Sequence, residues 1–219
     1  MSPPRTERLS TPHGTVVLVE LGDDDDVGRA LAALPAAERE HAGRLGPVRR
    51  REHVAGRTAL HLALGELAGD AAILADDRGA PVLPAGWVGS VSHKRSLAAG
   101  LVAPAAGGWV GVDLERAAPP RIDIARRVLT PREQVSLAGA GELERGRAVT
   151  LRFAIKEAIY KAVDPHLRRY VGFTEVELEL ELDGERCGVT HALPLVIEAA
   201  WREHAGHWLA TARARVAGE

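Results

Sequence analysis

The chain has 219 residues, and its 28 Lys+Arg against 30 Asp+Glu leave a formal charge of −2, which excludes a protein whose whole surface grips nucleic acid. One cysteine, Cys187, excludes a disulfide framework or a multi-Cys zinc site. No apolar run approaches the roughly 20 residues of a membrane span and no signal-peptide pattern opens the chain, so a soluble, reducing, cytoplasmic setting is expected.

Residues 14–21 (GTVVLVEL) are a β-branched apolar run that predicts a strand. The four aspartates at 23–26 predict a solvated loop or a helix cap, and they lack the spaced ligands of a calcium loop. A helical pattern runs from Pro35 to about Leu67, broken near Gly46 and Pro47. Short strands follow around Val82, over 87–91 and over 97–102, and the stretch 104–108 is the best linker candidate. The second half opens on a strand at 109–115 (WVGVDLE). Thr130, Pro131 and Glu133 then write a helix start, with Thr as the cap, Pro at the first helical position and Glu reaching back. A second helix covers roughly 146–163, residues 175–182 alternate as a strand buried on one face, and 207–216 read as a last strand. Alternation of single strands and helices is absent, and each half repeats the order strand, Pro-initiated helix, longer helix, short strands. The expectation is an α+β fold of two similar, pseudo-twofold-related lobes, 1–105 and 106–219, each a small antiparallel sheet packed with helices. The crevice between such lobes is the natural ligand site.

Three segments can carry chemistry. In the strand at 109–115, Val110, Val112 and Leu114 face one way and Asp113 and Glu115 the other. Two carboxylates this close repel unless a cation sits between them, and oxygen-only ligands favour Mg²⁺ or Mn²⁺; a solvated strand end is the plain alternative. In the helix, Glu157 and Lys161 share a face at i,i+4. They are either a surface ion pair or a third carboxylate with an ammonium for phosphate charge. Lysine occurs only at 94, 156 and 161, so two of three fall in this one helix. Third, Ser92 and His93 are neighbours, point to opposite faces if extended, and cannot form a Ser–His nucleophile pair with each other. They suit a phosphate, as do Arg49, Arg50, Arg51 and Arg57, although helix arginines are commonly just solvated. His204 and His207 lack the carboxylate pattern of a zinc site. Neither a Gly-x-x-x-x-Gly-Lys loop nor a Gly-x-Gly-x-x-Gly turn is present, and aromatics at 4% are too few for a base-stacking platform.

Taken in order, Arg49 to Arg57, Arg78 to Pro84, Gly89 to His93, Gly111 to Glu115, Leu129 to Pro131, Phe153 to Ala162 and Val171 to Phe173 resemble the 4′-phosphopantetheinyl transferase superfamily. The likeness is to the surfactin-synthetase type, in its enterobactin-synthetase component D branch. The resemblance implies transfer of the 4′-phosphopantetheine arm of coenzyme A to a serine of an apo acyl or peptidyl carrier protein, releasing adenosine 3′,5′-bisphosphate. Nonribosomal peptide or polyketide assembly is the implied setting. It implies Mg²⁺ held by Asp113, Glu115 and Glu157, with Glu157, directly or through water, as the base for the serine and Lys161 assisting the departing phosphate. Arg49, Arg57, Ser92, His93, Asp113, Lys156 and Lys161 would contact coenzyme A, and Arg78, Gly79, Ala80 and Pro81 would run beside its adenine. Ala80 stands where many relatives carry lysine, and Phe153 where many carry tryptophan. A monomer acting without nucleic acid or membrane is expected. Alternatives are a metal-dependent pyrophosphate hydrolase acting on coenzyme A-like nucleotides, or a non-catalytic coenzyme A-binding module. Arg121, Arg126, Arg127 and Arg132, beside Ile122, Ile124 and Leu129, are either a docking surface for an acidic carrier helix or a solvated helix face.

Overall fold

The computed structural model describes residues 5–180 and 186–218, so the last two positions of the strand expected at 175–182 lie outside the described residues. The fold is α+β, built on two antiparallel sheets in two compact units, Met1–Gly107 and Gly108–Glu219. Among the described residues no helix is long and apolar enough to cross a membrane.

The first unit opens with β1 (Arg5–Thr11) and β2 (Gly14–Glu20), a hairpin. It continues through α1 (Asp24–Ala33), α2 (Ala36–Gly43) and α3 (Pro47–Leu64) and ends in β3 (Trp87–Lys94) and β4 (Leu97–Pro104). The sheet order is β1-β2-β4-β3. The aspartates resolve into a helix cap: Asp23 accepts from the Asp26 N–H, and Asp24 to Asp26 fill the first turn of α1, where the helix dipole favours negative charge. β1 escaped the sequence reading because it is an edge strand, mostly exposed and without an apolar face. The strand expected around Val82 is reduced to one bridge between Ala75 and Pro81. Val17, Val19 and Leu21 pack against Val54, Ala55 and Ala59 of α3. β4 also comes close to α3, because a Cβ on Gly100 would stand 2.8 Å from the Leu60 nitrogen.

The second unit runs β5 (Trp109–Arg116), α4 (Ala125–Val128), α5 (Pro131–Ser136), α6 (Glu142–Leu167), β6 (Val176–Leu180), β7 (Cys187–His191), β8 (Leu195–His204) and β9 (His207–Val216). Its sheet order is β5-β9-β8-β7-β6. The capping box of α5 forms as its sequence dictates, with Thr130 and Glu133 each satisfying the other's backbone N–H. α6 starts four residues before the expected Gly146 and runs through Pro165. It lies on β5 and β9, burying Ala154, Ala158 and Ala162 in a cluster with Ala210, Ala212 and Ala214.

Candidate active site

Strand alternation places β5's side chains. Val110, Val112 and Leu114 are buried on one face. Gly111, Asp113 and Glu115 share the other, and Gly111 fixes that face as the one under α6: a Cβ there would stand 1.9 Å from the Ala158 carbonyl oxygen. With alanines on α6 and a glycine on β5, helix and strand backbones nearly touch, and the polar side chains flanking that contact meet. Lys161 Nζ donates to Asp113 Oδ1 at 2.8 Å and to the Val112 carbonyl at 2.9 Å. Asp113 is buried, and Glu115, Glu157 and Lys161 are half-buried.

Glu157 has its carboxyl pushed above the usual range, first by burial, then by the negative charge of Asp113. Lys161 opposes the rise, Glu115 adds to it, and Arg127 opposes it again. Arg127 thus belongs to the field of this site, and its guanidinium lies 6.0 Å from the Phe173 ring centroid. The set is chemically what a hard divalent cation relieves: three carboxylates, oxygen donors only, in mutual repulsion. Among the described residues, however, no group of three His, Cys, Asp or Glu side chains is gathered to hold a metal ion. The three carboxylates are coupled through charge rather than closed into a coordination shell, and an ammonium sits on Asp113.

Lys156 departs from its expected role. Its side chain is 1% exposed, and Nζ donates to Glu133 Oε2 at 2.7 Å and to the Val128 carbonyl at 2.8 Å. Burial pushes this ammonium's pKa down and the Glu133 hydrogen bond pulls it back up. A lysine so enclosed is a buried ion pair and not a phosphate contact.

The other expected residues belong to the first unit. His93 Nδ1 lies 3.3 Å from Glu52 Oε1, and Arg49 lies 3.6 Å from the other oxygen of the same carboxylate. Glu52 thus places a carboxylate between two predicted phosphate contacts, near His93 and within ion-pair distance of the mostly exposed Arg49. Ser92 is buried while His93 reaches solvent, as alternation requires. Arg57 is 7% exposed with Nε lacking a protein partner, its pKa lowered by burial against the charge of Glu38. His53 is pushed down to about 4, first by burial and then by Arg57 and His41, so it is neutral at physiological pH. Arg78, Gly79, Ala80 and Pro81 sit on a turn that Asp76 shapes, its Oδ1 accepting from the Arg78 and Ala80 N–H groups at 2.9 Å each. An Asx turn of this kind was legible in principle, since aspartate commonly accepts from N–H groups just after it.

Comparison with known proteins finds matches for both halves of the chain. The 4'-phosphopantetheinyl transferase superfamily profile matches residues 109–213, and the 4'-phosphopantetheinyl transferase N-terminal domain profile matches 37–103. Enterobactin synthase component D of Escherichia coli O157:H7 is 33% identical over 179 residues, covering 80% of this chain and 82% of its own length. The 4'-phosphopantetheinyl transferase Npt of Nocardia iowensis is 35% identical over 140 residues, 62% of this chain and 61% of its own. A holo-(acyl-carrier-protein) synthase from Bacillus anthracis, solved in complex with CoA, covers 48% of this chain and 92% of its own at 21% identity. Its TM-score of 0.39 makes that likeness too partial to weigh.

Proposed function

The chain belongs to the 4′-phosphopantetheinyl transferase superfamily, and from that premise we propose that Asp113, Glu115, Glu157 and Lys161 carry the transfer of phosphopantetheine from coenzyme A to a carrier-protein serine. The enzyme is a holo-carrier synthase. The geometry supports a division of roles among these residues. A displacement at a pyrophosphate needs an activated hydroxyl, neutralised charge and a stabilised leaving group. Glu157, its carboxyl raised by burial and by Asp113, is the base that takes the serine proton, directly or through one water. Lys161, tethered to Asp113 and the Val112 carbonyl yet 28% exposed, brings a positive charge to the departing phosphate. Asp113, Glu115 and Glu157 would hold Mg²⁺ or Mn²⁺. Such an ion would neutralise pyrophosphate charge.

In the first unit, Arg49, Arg57, Ser92 and His93 would bind coenzyme A phosphates, with Glu52 holding Arg49 and His93 in place. Residues 78–81 would run beside the adenine, Arg78 supplying the charge that Ala80 lacks. We take the protein to act in the cytoplasm as a monomer, on carriers of secondary-metabolite assembly. The observation that carries this reading is Lys161 on Asp113 beside a carboxylate of raised pKa. Incubation with coenzyme A, Mg²⁺ and a panel of apo acyl and peptidyl carriers should add the mass of the arm to a carrier serine. Absence of that mass across the panel, or carrier-independent release of adenosine 3′,5′-bisphosphate, overturns the assignment.

A further inference from the structure

Residues 158 and 162 of α6 rest on β5, and they are alanines over a glycine. Small side chains let backbones approach closely, but they interdigitate little and resist rotation of the helix about its axis weakly. That rotation matters. A side-chain tip about 6 Å from a helix axis moves about 1 Å for a turn of roughly 10°, and a misplacement of about 1 Å can cost roughly 10²-fold in rate.

Leu151, Ile155, Ile159 and Val163 pack the rest of the helix into the core, and a directional polar restraint is added on another side. Lys156 precedes Glu157 and so points about 100° away around the axis. Its ammonium ends on Glu133, which is also 1% exposed. Glu133 gathers three elements on one carboxylate. Oε2 accepts from Lys156 Nζ and from the Thr130 N–H, both at 2.7 Å, while Oε1 accepts from the Leu178 N–H of β6 at 2.9 Å. The Val128 carbonyl, at the end of α4, takes a further Lys156 proton. A buried ion pair is seldom more stabilising than well-packed apolar groups of the same volume, so its use here is better explained by the geometry it imposes than by stability.

We propose that Glu133 is a positioning residue for the transfer reaction: through Lys156 it fixes the rotation of α6 and hence the aim of Glu157 and Lys161 at Asp113. This rests on the catalytic roles proposed above and extends them to a residue that touches no substrate. The helix cap of α5 and the aim of the base then depend on one carboxylate.

The test uses the full chain with Lys156→Met, Glu133→Gln and the double variant, reading kcat, KM for coenzyme A and Tm together. Each single variant leaves one buried charge without its partner, and Tm should fall. Each should lower kcat about 10- to 100-fold with KM for coenzyme A within about twofold. In the double variant the pair is gone as a unit, and only buried Arg152 still misses the Glu133 charge, so Tm should recover in large part while kcat stays low. Recovery of kcat together with Tm would show a pair with a structural role alone and overturn the proposal. A KM rise in Lys156→Met without one in Glu133→Gln would make Lys156 a phosphate contact, overturning it differently. Should the single variants not fold, the double variant still decides. A wild type that modifies no carrier overturns the functional reading and this one with it. An active wild type with a fully active double variant overturns this one alone.

Discussion

The two units use the same frame for opposite ends. In each, a long helix covers the strand that precedes the helices, and the last strand returns to pair with that strand antiparallel: β2 with β4, β5 with β9. In each, a glycine lets a strand approach the helix backbone. In the first unit that glycine is on β4, and the neighbouring β2 turns Val17 and Val19, with Leu21 just past its end, toward α3. In the second it is on β5 itself, and the same strand face continues as Asp113 and Glu115. What is sealed core in one unit is charge in the other. The cost is visible at Glu157, whose carboxyl is raised chiefly by burial, and Lys161 offsets part of it. The difference teaches that the proposed chemistry asks for no new architecture: two acids in place of apolar residues on a helix-covered strand, with an ammonium on one of them, supply its groups.

The comparison breaks most visibly at the base. Glu157→Gln should lower carrier modification by about 10²–10⁴-fold, the usual worth of a general base, with circular dichroism unchanged; a near-wild-type rate would remove Glu157 from the chemistry. Lys161→Arg comes next. A planar guanidinium cannot take the place of a compact ammonium between a carbonyl and a carboxylate, and the rate should fall on the order of 10²-fold. Full activity would leave the lysines of this arginine-rich chain without meaning. The two glycines sharpen the contrast directly. Gly111→Ala drives a methyl into the Ala158 carbonyl, and Gly100→Ala drives one against α3; each should cost about 1–3 kcal/mol of stability by overpacking. They should part in kinetics, Gly111→Ala lowering kcat and Gly100→Ala raising KM for coenzyme A, as a stopped-time assay over substrate concentration would show. Identical profiles would erase the division of labour.

The smallest effect concerns stability against pH. The folded pKa of Glu157 lies above its unfolded value, so its favourable contribution is present below the ordinary carboxylate range and is lost as pH rises through the raised value. With chelator present, Glu157→Gln should therefore melt a few degrees above wild type at neutral pH. That advantage should vanish in acid below the ordinary glutamate range. A Tm difference constant with pH would remove the electrostatic account.

Much of the fold was legible where the information is local. The α5 capping box, the alternation of β5 and the last strand at 207–216 all form as read, because each depends on residues a few positions apart. β1 and β8 went unread: β1 is held at the sheet edge by β2 and α3's end rather than by its own pattern, with Arg8 reaching the Leu62 and Ala63 carbonyls. For the candidate site, the spacing of Glu157 and Lys161 announced their common face, but nothing local distinguished Lys161 from Lys156. The first ends on a carboxylate 48 residues away and the second on one 23 away. Only folding reveals which acid each lysine meets. The contact of Glu52 with His93, 41 residues on, was hidden for the same reason, whereas the Asp76 turn is local and its pattern stood in the sequence.

The sheet order of the second unit bears on the enzyme's birth. β5 carries the acids, and its neighbour in that sheet is β9, the described strand of this unit farthest from it along the chain. Chains fold from the N-terminus as they emerge, so the first unit can assemble while the second waits. Until residues 207–216 appear, β5 lacks that backbone ladder and α6 has half its bed. A chain interrupted anywhere before β9 should therefore leave the acid-bearing strand without its neighbour and show no carrier modification, as an assay of such truncations would show.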